Sequence, residues 1–506
     1  MSSATSRVER FLRNVERRGN RLPHPATLFA MLSVAVAVAS WFAAHLGLST
    51  VHPATGETIA AFNLLGTEGL HRVLVELVSN LTGFAPLGAV LVSLIGIGVA
   101  EHSGLIGAAL RRFLYAVPSH WVTPGIVFAG VMSNLAAEVG YVVLIPLAGL
   151  IMQGAGRHPI VGMAAAFAGV SGGYSANLLL GSFDPLLAGV SQEAARLVDP
   201  GYTVNAAANW FFMMASTPLV VVLGTWVTNL AIAPRFTHLP DADPRSVAAP
   251  PDANERRGLR WAGIAFLLLG AWVAWGLVPA DGFLREAGTG SVVDSPFMHG
   301  IVALIFLSGV VGGLAFGFGA GTLRSDQDVL RGMTGTMSTM GGYVVLVFFA
   351  AQFVAFFEWS QLGLIVALQL GEWLRFLDLP PVLLFLGIVA TTGFANLFIG
   401  SASAKWALLA PVFVPMCMLL GYSPEAAQAA YRVGDSVTNL LSPTMAYFAL
   451  VIACFQRHDP KAGFGTVVSV MLPYSIVFAI GWSLLLVLWI VSGWPLGPGA
   501  PLTYPA

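Results

Sequence analysis

Residues 380–445 are apolar enough for membrane-spanning helices, yet Thr391-Thr392-Gly393 and Gly400-Ser401 break the stretch, which then carries Arg432, Asp435 and Asn439. Hydrocarbon offers no hydrogen bonds, so interrupted backbone persists at membrane depth only where protein or a water-filled cavity shelters it. Two such interruptions in succession, both with polar side chains, point to a binding site at that depth. The remaining composition suits the same solvent. Only 10% of the residues are charged and 56% are hydrophobic, whereas soluble domains carry about 25% charged residues. An all-α polytopic membrane protein follows. The net charge of −1 gives no case for nucleic acid as a partner. Cys417 and Cys454 stand in apolar surroundings, as free buried thiols do, and no Cys-x-x-Cys or His-rich tract suggests a metal centre.

The interrupted stretch has a twin. Ala395-Asn396-Leu397, Ala410-Pro411, Met416, Ser423-Pro424 and Thr438-Asn439-Leu440-Leu441 before Pro443 are matched, in order, in the first half. There the landmarks are Ser133-Asn134-Leu135, Ile145-Pro146, Met152, His158-Pro159 and Ala176-Asn177-Leu178-Leu179 before Pro185. The offsets agree, 396 − 134 = 262 and 439 − 177 = 262. Matches among Leu, Ala and Val mean little between apolar helices, but ordered Asn and Pro landmarks indicate one unit occurring twice.

Taken in order, a basic N-terminal segment, 1–26, precedes an uncleaved first helix at 27–48, which places the N-terminus in the cytoplasm. With a mixed loop over 49–80 and a return helix over 83–100, residues 27–100 form scaffold helices. The first repeat unit, 104–190, contains an amphipathic interfacial helix with Arg111 and Arg112 and a re-entrant hairpin interrupted near Asn134 and Glu138. It ends in a helix broken at Ser171-Gly172-Gly173-Tyr174-Ser175, where glycine tolerates non-helical backbone. Middle spans occupy 206–358, divided by a Pro- and Arg-rich cytoplasmic linker at 235–260. The second unit, 361–454, repeats the interfacial helix, hairpin and broken helix, and 465–506 holds the last helix and the tail. The scheme has about nine spans plus two re-entrant hairpins, with the basic loops on one side. The first hairpin then enters from inside and the second from outside. Inverted repeats of this kind are the architecture of secondary transporters, which place the site at the repeat interface near the midplane.

The candidate site residues fall in these breaks. Asn134 and Asn396 in the hairpins, and Asn177 and Asn439 in the broken helices, offer amide oxygens that suit Na⁺, or else cap the half-helices. Asp184, before Pro185, is equally a natural helix start and a proton or cation site. Arg432 and Asp435, three residues apart on one helix face, can pair; charges in such a segment are functional by default. Arg432 would then anchor an anionic substrate, and Asp435 would take a proton or cation. Ser401, Ser403, Lys405 and Trp406 follow the second hairpin break. Trp406 either stacks on an aromatic substrate or packs, and Lys405 either binds or snorkels. Pro424 and Pro443 bracket the broken helix.

The sequences GFANLFIGSASAKWALLAPVFVPM (393–416), YRVGDSVTNLLSPTMAYF (431–448) and SGGYSANLLLGSFDPLLAG (171–189) resemble the AbgT family of bacterial inner-membrane transporters. The resemblance extends over essentially the whole chain. It implies transport of p-aminobenzoyl-glutamate and, for some members, export of sulfonamide antimetabolites, by a multi-pass homodimer with a scaffold and a transport core. The positions tied to activity would be Asp184, Ser403, Trp406, Pro424, Arg432, Asp435 and Pro443, with a Na⁺ site among Asn177, Asn396 and Asp435. The expected function is secondary active transport of such aromatic carboxylates, coupled to Na⁺ or H⁺ by alternating access. A Na⁺-coupled dicarboxylate or citrate carrier is the alternative. No H-E-x-x-H or G-x-S-x-G motif supports a hydrolase, and paired breaks around a charged core disfavour a passive channel.

Overall fold

A computed structural model describes residues 25–51, 58–135, 140–181, 183–236, 252–292, 295–363, 365, 380–442, 445 and 447–504. Its helices are α1 (Pro25–His45), α2 (Thr67–Thr82), α3 (Ala85–His102), α4 (Leu105–Ala116), α5 (Val122–Ser133), α6 (Ile145–Gly154), α7 (Pro159–Phe167), α8 (Phe183–Ala195) and α9 (Trp210–Val227). After the linker come α10 (Ala253–Leu277), α11 (Ile301–Ala320), α12 (Asp326–Thr339), α13 (Gly341–Trp359), α14 (Pro381–Asn396), α15 (Ala402–Leu419), α16 (Pro424–Asn439), α17 (Phe448–Gln456) and α18 (Phe464–Ser492). The described strands, β1 (Ser49–Val51) and β2 (Thr58–Ala60), pair antiparallel. Local chemistry explains several starts. Asp252 and Glu255 cap α10 reciprocally, Ser325 and Asp328 do the same for α12, and Ser423 caps α16 with Pro424 in its first turn.

Both repeat units contain interrupted helices. In the first, α5 is followed by a break, a π-turn (Gly140–Leu144) and α6; then α7 runs through a second π-turn (Ala168–Gly172) into non-helical backbone before α8. In the second, α14 and α15 form the hairpin, and α16 breaks before α17. The correspondence extends to hydrogen bonds. Asn134 Nδ2 donates to the carbonyl of Gly173, and Asn396 Nδ2 to that of Asp435; both acceptors lie 39 residues on. Each asparagine thus ties its hairpin break to the helix that follows.

Seven described helical runs are long and apolar enough to cross a membrane: Thr67–His102, Trp210–Arg235, Ala253–Leu277, Ile301–Ala320, Gly341–Trp359, Ala402–Leu419 and Phe464–Ser492. The broken helices fall outside this set because each half is short on its own. Ala402–Leu419 falls within it, although the sequence reading made it half of a hairpin. The mixed loop expected over 49–80 is instead a strand pair followed by α2. The Leu70, Leu74 and Leu77 spacing of α2 is helical, and Arg72 lies 4.4 Å from the ring centroid of Trp359. Helix α12 was likewise not expected. Glu138, Pro443, the first 24 residues, the linker from 237 to 251 and most of the second interfacial helix lie outside the described residues.

The main buried cluster gathers α5–α8 with α13–α16 and α18, while a smaller one joins α3, α4, α10 and α11. Helix α10 turns Trp261, Leu267, Leu268 and Trp275 outward, as a lipid-facing helix does. Within the core, α14 and α16 approach closely at Gly434, where an added Cβ would lie 2.8 Å from Cβ of Thr392. Gly434→Val should therefore destabilise the fold by about 1–3 kcal/mol through overpacking. Thermal unfolding of the purified variant, compared with Gly387→Ala at a position with open space, is the check.

Candidate functional site

Helix α16 carries the site. Glu425, Gln428, Arg432, Asp435 and Asn439 follow one another at spacings of three and four, so they form a single stripe along one side of the helix. All are buried, Arg432 at 1% and Asp435 at 0% exposure. A polar stripe at the centre of an apolar bundle is stable only if every charge finds a partner.

Two ion pairs supply the partners of Arg432 and Asp435. Arg432 Nη2 donates to Asp184 Oδ1 at 2.7 Å, and Arg432 Nε donates to Asn209 Oδ1 at 3.1 Å. Asp184 sits in the first turn of α8, and its Oδ2 accepts the amide of Gly181 at 2.8 Å. It therefore stands at the helix start that the sequence leads one to expect, paired there with Arg432. Lys405, from α15, places Nζ 2.5 Å from Asp435 Oδ1 and also donates to Asn396 Oδ1. The Lys405–Asp435 contact is a fully buried ion pair.

Two expectations are corrected. Arg432 and Asp435 do not pair with each other, because Arg432 reaches α8 in the first repeat while Asp435 meets α15 in the second. Lys405 does not snorkel; it is fully buried, since its hairpin helix is enclosed by α8, α13 and α16.

The other candidates take the following places. Asn396 Nδ2 also lies 2.9 Å from Thr438 Oγ1 and 2.8 Å from Asn439 Oδ1, so its two hydrogens are shared among three acceptors. Asn177 Nδ2 donates to the carbonyl of Val131, and its oxygen accepts the amide of Leu179. Asn134 Oδ1 is buried and has no hydrogen-bond partner among the described residues. Ser403 is half-buried beside Ser401, 3.1 Å between hydroxyls. Trp406 is enclosed: its ring centroid lies 4.5 Å from that of Tyr431, and Nε1 donates to Ser191 Oγ. Pro424 occupies the first turn of α16.

As Na⁺ ligands these residues divide by repeat. Lys405 already holds the oxygens of Asn396 and Asp435, so a cation there has to displace it. In the first repeat the position matching Asp435, by the bond that each asparagine makes to a carbonyl 39 residues on, is Gly173, which offers no carboxylate. The unpartnered Asn134 oxygen fits a cation ligand without such competition.

The breaks of the two repeats meet across the site. Ser175 donates its amide to Ser436 Oγ at 3.1 Å, and Tyr141 stacks on Tyr447 with ring centroids 4.7 Å apart. Asn209, Ser191, Gln428, Ser436 and Glu425 were not singled out from the sequence. The polar spacing on α16 could have revealed Gln428 and Glu425; nothing local marks Asn209. A cavity of about 280 Å³, lined by Pro185, Gln192, Asn205 and His299 among others, opens beside the start of α8. A larger groove of about 580 Å³ between α10 and α11, with Trp261 and Phe318, has no group suited to a carboxylate.

A model of the AbgT putative transporter family matches residues 10–504. The chain belongs to the AbgT family. It is 38% identical over 485 residues to the p-aminobenzoyl-glutamate transport protein of Escherichia coli K12, covering 96% of this chain and 95% of that one. Two crystallographically or otherwise solved relatives share its fold. The YdaH transporter of Alcanivorax borkumensis superposes with a TM-score of 0.90 at 48% identity, covering 94% of this chain and all of that one (100%). MtrF of Neisseria gonorrhoeae, described among antimetabolite efflux pumps, superposes at 0.91 with 47% identity, over 97% of this chain and 100% of its own. This AbgT-family chain is thus a polytopic membrane transporter.

Its buried pairs make a stability prediction. Lys405→Met strands the Asp435 carboxylate and should cost about 3–5 kcal/mol, whereas Lys405→Met combined with Asp435→Leu should recover most of that loss. Thermal unfolding of both variants in detergent checks it.

Proposed function

We propose that this AbgT-family transporter moves p-aminobenzoyl-glutamate, sulfonamide-like aromatic antimetabolites, or both, across the bacterial inner membrane as a secondary active carrier. The buried Arg432–Asp184 pair supports this reading most strongly. It joins the broken helices of two repeats through one exchangeable anion position. A substrate carboxylate presents the same planar pair of oxygens to the guanidinium as Asp184 does. Binding is therefore an exchange: the substrate takes Arg432, and Asp184 is released to take a proton or cation. Asp435 undergoes the parallel exchange when a cation replaces Lys405. Na⁺ or H⁺ coupling at Asp184 and Asp435 follows from these two exchanges, and Asn134, Asn177, Asn396 and Asn439 supply the additional oxygens. The printed identities of the Escherichia coli and Neisseria gonorrhoeae relatives support the substrate class.

Alternating access would move the core, 104–190 and 361–454, against a scaffold of α1–α3, the middle spans and α18. In this reading the protein works as a homodimer with a cytoplasmic N-terminus. The enclosed Trp406 leaves no free ring face in this conformation, which favours a dicarboxylate cargo as the second reading. Aromatic substrate binding has to open the Trp406–Tyr431 contact.

Reconstituted protein should carry labelled p-aminobenzoyl-glutamate under an imposed Na⁺ or pH gradient. Arg432→Ala should lower flux by about 100-fold or more, given the cost of removing one buried charge partner. Normal flux in a folded Arg432→Ala variant would exclude the anchor role. Movement of succinate or citrate without the aromatic substrate would favour the alternative.

A further inference from the structure

The α16 stripe contains a carboxyl group that neither ion pair uses. Glu425 lies in the first turn of α16, 3% exposed, two turns from Arg432. Its Oε2 accepts the hydroxyl of Tyr202 at 3.0 Å. Its other neighbours are the Ser423 hydroxyl and its own amide, all neutral donors. Among the described residues no ion pair includes it.

We infer that Glu425 is a proton-loading site of this transporter, reached from the surface through Tyr202 and coupled to the substrate anchor through Asn209; the inference rests on the transport reading above. A buried carboxylate with only neutral partners is relieved either by a proton or by a metal cation. The surrounding oxygens decide between them. Gln428 Oε1 is taken by Ser191, Asn209 Oδ1 by Arg432 and Ser423 Oγ by the amide of Ala426. Too few acceptors remain for a metal cation, which needs about six oxygens, and no cluster of three His, Cys, Asp or Glu that could hold one occurs among the described residues.

A proton has a route. Tyr202 is only half-buried, and its ring contacts Tyr504 with centroids 5.7 Å apart; Tyr504 in turn donates to Asp199 at 3.1 Å, next to exposed Pro200 and Gly201. The proton binds Glu425 Oε2, and the new carboxylic acid donates to Tyr202 Oη, reversing the hydrogen bond without any other bond changing. The titratable groups facing Glu425 are Tyr202 and, behind it, Asp199 and Tyr504; along α16 the next charge is Arg432. From α8 and α15 the polar groups on this side are Ser191 and Trp406 Nε1, which do not titrate.

The connection inward is equally short. Asn209 Nδ2 donates to the Glu425 carbonyl at 2.9 Å, while its oxygen accepts Arg432 Nε. Neutralising Glu425 removes a negative charge from the positive end of α16 and shifts the turn that positions Asn209. Arg432 thereby senses the protonation of Glu425.

The test uses liposomes holding the full chain, labelled p-aminobenzoyl-glutamate, a clamped membrane potential and pH varied on one side at a time from about 5 to 9. Wild-type flux should change by about tenfold or more with pH on the side of Asp199 and Tyr504. Glu425→Gln should flatten that profile to less than about twofold over the same range. Tyr202→Phe, which keeps the carboxyl and the packing, should move the midpoint to higher pH, because the lost phenol favoured the charged form. A wild-type pH profile in Glu425→Gln, or an unmoved midpoint in Tyr202→Phe, overturns the inference and leaves transport standing. Absence of wild-type flux at every pH overturns both.

Discussion

The cost of burying charge governs this structure. Four charged groups, Arg432, Lys405, Asp184 and Asp435, lie within an apolar bundle at essentially zero exposure. Each is tolerable only while its partner stays in contact, because an isolated buried charge costs several kcal/mol even after relaxation. Arg432 belongs to one repeat and Asp184 to the other, so the pair holds two separate broken helices in register. The close α14–α16 approach at Gly434 and the π-turns that free carbonyls of α7 serve the same end. They bring polar groups from different helices within reach of one stripe on α16.

The two repeats share a frame but differ in chemistry. Asn134 and Asn396 make the same bond to a carbonyl 39 residues on. Where the second repeat has Asp435, the first has Gly173. The second repeat pairs Asp435 with Lys405, whereas in the first the Asn134 amide oxygen has no hydrogen-bond partner among the described residues.

Much of this was legible in the residues. The Asn landmarks, the glycines at 172 and 173 and the proline at 424 mark the ends of α5, α14 and α16 and the non-helical backbone after the second π-turn, because a membrane-length apolar run leaves few other reasons for them. Arg432, Asp435 and Asp184 stood out for the same reason. Their pairing did not. Spacing along one helix shows which residues share a face but not which neighbour that face meets, so Arg432 and Asp435 looked like partners. Lys405 was ambiguous because a lysine near a helix start can reach water or stay inside, and only the enclosing helices decide. Asn209 lies outside the repeats and carries no local signal, although it links Glu425 to Arg432. Glu425 was readable in principle, as the first member of the stripe that includes Arg432 and Asp435.

The most direct test of the account is equilibrium binding of p-aminobenzoyl-glutamate to purified wild type and to Asp184→Asn, measured calorimetrically. If substrate and Asp184 compete for Arg432, the variant binds more tightly than wild type, by about tenfold for one charge-assisted hydrogen bond no longer displaced. The amide analogue lacking the glutamate carboxylates should bind neither protein. Weaker binding by Asp184→Asn, or equal binding of the carboxylate-free analogue, would contradict the exchange at Arg432 on which the account rests.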